Sequence, residues 1–514
     1  MPDKSYRPWL PDHPTLLPTD LRRWLPEDHL AWFVLELVAR VDISGIEARI
    51  QAKDPRGALP YDPRMMTALL IYAYAVGVFS SRRIERATYE DVAFRILTGD
   101  QQPDHDTIAA FRREYLTEFS DLFVQVLRLA AQMGLVSFGV LGLDGVKILA
   151  NASKHRAMSY DRMKKDIERL TKEIKLLLER AEQADGEAQA RFGDGRIADI
   201  PAEIARRKER TAKIEAAMAA LEMEARAARA AELREQVRRH EQNAADEALD
   251  ESARKRAATL AAKRSAALEG LEDDKDDEDD DGRGADLPEH QIPHLPNGTP
   301  KESAQRNFTD PESRIMVRDG DHYVQAFNAQ ALVDNANQIV VSAGVGNQAN
   351  DSGYLPPMLE RANANLAAAG AVRPKEKIPM AADAGYFSEA NVAAADALGF
   401  DPHIAFERSR RARPELAPVG GTGPPPAAQS GEATGPPTAR EAMRAKLQTE
   451  EGRRIYGLRK TTPEPVFGQI LEVRGFRRFL LRGLEKVGGE WNLVTLTHNV
   501  LKLWRSGRAM PAPG

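Results

Sequence analysis

The sequence predicts an α/β protein: a helical N-terminal segment, a sheet with flanking helices, and a long helical insertion that interrupts it. Three patterns carry the prediction. Apolar residues in 1–135 recur at helical spacing. Residues 156–270 carry heptad seams. Beyond Lys301 the apolar residues fall in short alternating or continuous runs, the mark of strands.

Within 1–135, "LPEDHLAWFVLELVARVD" (25–42) sets Leu30, Phe33, Val34, Leu37, Val38 and Val41 on one helical face. "MMTALLIYAYAVGVF" (65–79) is too short to span a bilayer, lies between Arg64 and Arg82, and reads as a buried helix. Asp106 is placed to cap a helix running from Thr107. Arg82, Arg83, Arg86, Arg112 and Arg113 sit on short helical segments, which suits either DNA contact or the wet face of an ordinary bundle.

The insertion shows one seam through Met163, Ile167, Leu170, Ile174, Leu177, Ala181 and Ala184. A second runs through Ile204, Thr211, Ile214, Met218, Leu221 and Ala225. "RFGDGRIADIP" between them offers a turn, so an antiparallel coiled-coil hairpin is expected, extended by the Ala-rich segment that follows. "LEDDKDDEDDDG" (271–282) and "PEHQIPHLPNGTP" read as linker. Strands are expected at 322–334, 338–346 and 377–383 and in "FDPHIAF", with helices in "LPPMLERANANLAAAG" and "EANVAAADALG". The Pro/Gly/Ala-rich stretch 414–437 cannot build a core. Helices close the chain, with Trp491 and Trp504 as core anchors.

The 514 residues, 42% hydrophobic and 29% charged, have the composition of a soluble protein. There are no cysteines, which excludes disulfides, thiolate metal sites and a cysteine nucleophile. The first residues show no apolar signal core. Net charge is −5, but acid is concentrated in 271–282, while base clusters in "SSRRIER" (80–86), "ERSRRARP" (407–414) and "RGFRRFLLRG" (474–483). Local patches therefore say more about partners than the total does.

Two aspartates stand in similar places. Asp144 follows the apolar run Val140–Leu143 and precedes Gly145; Asp383 follows "KIPMAA" and precedes Ala384 and Gly385. Read alone, Asp144 is more readily the first residue of an Asp-Gly turn at a strand end. If the two strands are neighbours, two carboxylates meet at one sheet edge, an arrangement that needs a counter-ion and suits Mg²⁺ or Mn²⁺. Two-metal phosphoryl transfer uses such a site and wants a third acid, for which Glu464, at a helix start between Pro463 and Pro465, is the candidate.

With "LRRWLPEDHLAWFVLELV", "YDPRMMTALLIYAYAVGVFSSRRIE", "LDGVKILANASKH", "NFTDPESRIM", "YVQAFNAQALVD", "ADAGYFSEAN", "YGLRKTTPEPVFGQI" and "HNVLKLW" taken together, the chain resembles insertion-sequence transposases of the DDE type. The resemblance implies an RNase H-like mixed sheet with flanking helices, and Asp144, Asp383 and Glu464 as catalytic, metal-holding residues for two Mg²⁺ ions, Mn²⁺ being the alternative. It implies double-stranded DNA partners (terminal inverted repeats and target), a homodimer in the DNA complex, no membrane, and a cytoplasmic, nucleoid-associated location. The expected division is a DNA-binding domain at 1–135, a catalytic domain at 136–156 and 301–413 with the insertion at 157–300, a linker at 414–440, and a C-terminal part at 441–514 carrying the glutamate.

The family's tyrosine–arginine–glutamate–lysine signature falls on Tyr456, Arg459 and Glu464, with Lys460 at the usual arginine spacing from the glutamate; Tyr456, Arg459 and Lys460 are expected at DNA. Leu471 stands where the family has its lysine, and Arg474, Arg477 and Arg478 are candidates to replace it. An inactive or domesticated DNA-binding derivative, and an RNase H-like nuclease without strand transfer, are the alternatives. His155, His322, His403 and His498 lack metal-ligand spacing; Asn328 and Gln330 suit a place facing the catalytic centre from the neighbouring strand, though the wet face is the commoner home of such polar residues. Asp351, which follows no strand directly, reads as a loop residue, and Lys154 and His155 as residues that touch DNA.

Overall fold

The computed structural model describes residues 21–53, 59–188, 199–272, 287–318, 322–406 and 438–511, the side chains at 21–22, 181–188, 199–200 and 272 excepted. The N-terminal signal reading, most of the acidic run and of the inter-arm turn, the 407–414 basic cluster and 414–437 lie outside these residues.

Seven helices precede the sheet among the described residues: α1 (Leu30–Arg40), α2 (Ser44–Gln51), α3 (Pro63–Ala75), α4 (Ser81–Glu90), α5 (Val92–Leu97), α6 (His105–Glu114) and α7 (Leu116–Gln132). The apolar 65–79 run becomes α3, started by Pro63 and capped by Asp62, which accepts from the Arg64 amide at 2.7 Å. It is buried from Met66 to Ala75. α6 starts two residues earlier than expected: Asp104, not Asp106, is the cap, accepting from the Thr107 amide at 2.7 Å.

The sheet follows. β1 (Leu141–Leu149) leads through β2 (Ala157–Ser159) into three long helices, α8 (Tyr160–Ala188), α9 (Asp199–Ala245) and α10 (Glu251–Glu272). The chain returns through β3 (Gln305–Asn307), paired with β2, then β4 (Arg314–Arg318), β5 (His322–Asp334) and β6 (Val340–Gly346). After α11 (Leu355–Ala368) come β7 (Ile378–Ala382), α12 (Glu389–Ala397) and β8 (Phe400–Ile404). The C-terminal helices are α13 (Ala439–Gln448), α14 (Glu450–Leu458), α15 (Pro463–Gly468) and α16 (Leu484–Arg505).

β5 is the centre of the sheet's antiparallel half. It pairs with β1 along one edge, and with β4 and then β6 along the other. On the far side of β1, β7 and β8 run parallel to it, each joined by a crossover. β5 is buried from Gln325 to Asp334, because α11 and α16 pack against the β5–β6 half. Trp491, fully buried in α16, donates from Nε1 to the Gln330 carbonyl at 2.9 Å. α16 also packs on α3 and α7, so one helix joins the N-terminal bundle to the sheet.

In the helical arm, Met163 and Leu170 of α8 meet Ile214, Leu221 and Ala225 of α9 in one apolar cluster, with Ile167 and Met218 at its margin. α10 does not extend this pair lengthwise. The chain turns at 246–250 and α10 packs back along α9, capped by Asp250, which accepts from the Ala253 amide at 2.7 Å. Beyond Leu170 the α8 seam is only half-buried, at Ile174 and Leu177.

Candidate active site

β1 and β7 set two acids side by side. Their parallel register pairs Leu141 with Met380 and Leu143 with Ala382, so Asp144 and Asp383 are the next residues on neighbouring strands, whose spacing is about 4.8 Å. β7 ends there. Asp383 caps a 3₁₀ turn at Ala384–Tyr386, accepting from the Gly385 amide at 2.6 Å. β1 does not end. It continues to Leu149 against β5, with Asp144 opposite Ala331 and Gly145 opposite Gln330.

The expectation of a strand end and an Asp-Gly turn at Asp144 is therefore corrected: it lies within a strand, where its parallel neighbour stops. Gly145 serves space rather than turning. A Cβ there would stand 2.1 Å from Gln330 Nε2, and its backbone does not enter the positive-φ region.

A second glycine positions the third acid. A Cβ on Gly142 would meet Pro463 Cδ at 2.8 Å and Thr462 Cβ at 3.1 Å, so its absence lets α15 lie against β1 two residues before Asp144. Pro463 occupies the first turn of α15, where its missing N–H costs nothing, and Glu464 follows, exposed, in that turn. Asp144 is largely buried, and burial pushes its carboxyl up to about 7. The Gly145 amide, donating at 2.8 Å, opposes the rise, while Asp383, Asp351 and Glu464 add to it by repulsion. Both other expected acids thus lie close enough to act on Asp144.

Asp351 was missed as a member of this group. Its Oδ1 accepts from Lys147 Nζ at 2.9 Å, Asn328 Nδ2 at 2.7 Å and Gln330 Nε2 at 3.2 Å. Its other oxygen faces the Asp383–Gly385 turn, 3.7 Å from where a Gly385 Cβ would stand. Asn328 and Gln330 are fully buried, not on a wet face; Gln330 also accepts from the Tyr386 hydroxyl. The signal available in the sequence was the polar run Asn328, Gln330 inside an otherwise apolar strand. Each such residue needs a buried partner.

The donor chemistry fits a divalent cation: hard carboxylate oxygens, partly desolvated, with Lys147 committed to Asp351. Among the described residues no three His, Cys, Asp or Glu side chains converge tightly enough to hold a metal ion as they stand.

The expected DNA contacts divide. Arg82, Arg83 and Arg113 are exposed, and Arg86 is exposed but paired with Glu90 at 2.8 Å. Arg112 is buried. It donates to the Tyr74 hydroxyl at 3.0 Å and the Phe79 carbonyl at 2.9 Å, and Tyr74 in turn donates to the buried Glu490 at 2.9 Å. Arg112 thus ties the bundle to α16 and does not face a groove. Arg459 stacks over the Tyr456 ring at 5.2 Å, and Lys460 is exposed.

Leu471 lies in the core, within a π-helical turn at Gln469–Val473. Of its expected substitutes, Arg474 is buried and bonded to Thr497 at 2.8 Å, Arg477 pairs with Glu472, and Arg478 is exposed. His403 and His498 are buried in structural positions.

Two family models match the chain. Residues 19–114 match one described as Transposase domain (DUF772), and residues 434–504 match one described as Transposase DDE domain. Both models describe transposase domains. More particularly, an N-terminal transposase domain joined to a C-terminal DDE domain supports a DDE-type insertion-sequence transposase. The second match spans Glu464; Asp144 and Asp383 lie between the two. No curated protein and no solved structure matches significantly. Among the described residues no helix is long and apolar enough to cross a membrane.

Proposed function

We propose that this chain binds the terminal inverted repeats of its own element as a homodimer, hydrolyses a phosphodiester to free a 3′-hydroxyl, and joins that end to target DNA. The observation that carries the reading is the level placement of Asp144 and Asp383 on adjacent parallel strands, with Glu464 brought beside them through Gly142. The strand order, with β1, β7 and β8 parallel and β5 and β6 antiparallel, supports an RNase H-like core. The packing of α8 and α9 supports a coiled-coil insertion within it. Acting on chromosomal DNA places the protein in the cytoplasm, at the nucleoid.

Asp144, Asp383 and Glu464 would hold two Mg²⁺ ions, or Mn²⁺. When bound, such cations favour the ionised attacking oxygen and offset charge on the leaving oxygen. The protein's own part is to orient. The amides of Gly145 and Gly385 fix one oxygen of each aspartate. Lys147, Asn328 and Gln330 hold Asp351 beside them. Arg82, Arg83, Arg86 and Arg113 in the bundle, and Tyr456, Arg459 and Lys460 near the glutamate, supply DNA contacts.

The test is strand cleavage and strand transfer by the full chain on duplex carrying the element ends. Asp144→Asn, Asp383→Asn and Glu464→Gln should each lower Mg²⁺-dependent cleavage by roughly 100-fold or more, a loss of ~3 kcal/mol. Duplex binding should persist, since Lys and Arg dominate affinity for phosphates. Undiminished cleavage by any of the three would overturn the assignment, and cleavage without joining would reduce the protein to a nuclease.

A further inference from the structure

Where the helical arm leaves the sheet, the turn after β1, the first turn of α8 and residues 206–214 of α9 enclose an open cleft of about 370 Å³. Its cationic lining is Arg156, Arg162, Arg206, Arg210 and Lys213, together with His155. Met158 and Ile214 form its apolar floor, and Phe308, 37% exposed, stands in its wall.

Glu209 is the one acid among the lining residues, and Lys213 neutralises it at 2.6 Å. Arg210 reaches Asp166 at 3.4 Å. Arg156, Arg162 and Arg206 are exposed and make no ion pair among the described residues. In a chain of net charge −5, a cleft that keeps three arginine forks free is a local exception.

We infer that this cleft binds the phosphate backbone of duplex DNA, as a sequence-independent contact separate from the catalytic acids and from the N-terminal bundle. Guanidinium forks match phosphate oxygens in pairs, and the cleft offers several converging from three different elements. Arg206, Arg210 and Lys213 recur on one face of α9, over about 10 Å of helix, the length of about three base steps.

The cleft is also in line with the chemistry. β1 carries Asp144, runs on to Leu149, and leads directly into the 3₁₀ turn Lys154–Arg156. Asp144 to Leu149 covers roughly 17 Å of strand, the length of about five base pairs. Along that path Arg478 pairs by backbone with Leu149, and Arg482 donates from Nε to the Asn151 carbonyl at 3.0 Å. A duplex with its scissile phosphate at the acids can therefore extend over the cleft. The inference rests on the transposase reading for its choice of duplex DNA.

The experiment titrates the full chain with element-end duplex and with scrambled duplex, by fluorescence anisotropy across a salt series. A triple variant, Arg156→Glu, Arg162→Glu and Arg206→Glu, is compared with a control reversing three exposed charges on α10, Lys255→Glu, Arg256→Glu and Lys263→Glu. Thermal melts confirm that both are folded. The cleft variant should bind both duplexes roughly tenfold or more weakly, and its salt slope should fall by about 2 to 3, one phosphate contact for each arginine.

The control should keep the wild-type slope. An unchanged slope in the cleft variant, or an equal loss in both variants, would overturn the inference. Failure of the wild-type chain to bind any duplex would instead overturn the functional reading on which the cleft's assignment rests.

Discussion

Gly142 and Gly145 show how two missing methyl groups shape the site. Gly142→Ala would place Cβ 2.8 Å from Pro463 Cδ, so α15 must shift and carry Glu464 away from Asp144. Cleavage should fall by at least roughly tenfold with duplex binding intact, and a melt should register the ~1–3 kcal/mol typical of overpacking. Wild-type cleavage in this variant would show that Glu464 is not placed through Gly142. His498 offers a second residue-level test. Burial pushes its imidazole down to about 3, with Arg474 adding to the shift, while its bond to the Gln338 carbonyl at 2.9 Å opposes it. The folded state therefore stays neutral where the unfolded chain, with an ordinary value near 6.5, takes up a proton. Stability from this group is full above pH ~6.5 and is lost as pH falls toward ~3. Urea melts between these values should show the decline, and His498→Gln should flatten it.

At the scale of elements, α6 carries two neighbouring arginines with opposite fates. Arg113 is exposed, while Arg112 donates to the Tyr74 hydroxyl, which in turn donates to Glu490. Arg112→Ala would leave the Tyr74 hydroxyl and the Phe79 carbonyl without their donor and open a gap beside buried Glu490, a loss of about 2–4 kcal/mol. Arg82→Ala, on the open face of α4, should change stability by less than about 0.5 kcal/mol. Any loss of DNA binding in the first variant should therefore track its melting temperature, and in the second it should not. The π-helical turn gives a similar contrast. Leu471 is packed against the core, so Leu471→Lys would bury an unpaired ammonium. The expected result is a lower melting temperature with no rise in cleavage; a rise would mean that the family's lysine contact had been restored.

Across the whole molecule α16 is the shared element. It packs on α3 and α7 of the bundle and on β6 of the sheet, and its Glu490 also accepts from the Leu480 and Leu481 amides at 2.9 and 3.1 Å. Asn151, just past β1, donates to the Leu480 carbonyl at 2.7 Å. The N-terminal bundle and the sheet are thus joined through one polar network. Residues 1–135 expressed alone lose the helix that covers α3 and α7. We expect that fragment to melt non-cooperatively or aggregate, whereas the full chain melts cooperatively. A stably folded fragment would show that the bundle is autonomous.

Much of this architecture follows from the sequence alone. The apolar periodicities placed α3, β5, β6, α11 and β7 because burial of a repeating face depends only on spacing along the chain. Two apolar runs ending in aspartate singled out Asp144 and Asp383, and the flanking prolines put Glu464 at a helix start. What only the tertiary structure decided are the facts that depend on residues distant in sequence. That Asp144 lies within a strand depends on β5, some 180 residues on, continuing to pair with it past the end of β7. That Asp351 joins the acids depends on Lys147, Asn328 and Gln330 converging from two strands on a loop. That Arg112 is structural and Arg113 exposed depends on α16, nearly 400 residues away. Local patterns record which face of an element is buried. They do not record what covers it, and in this protein the cover determines which charges stay exposed.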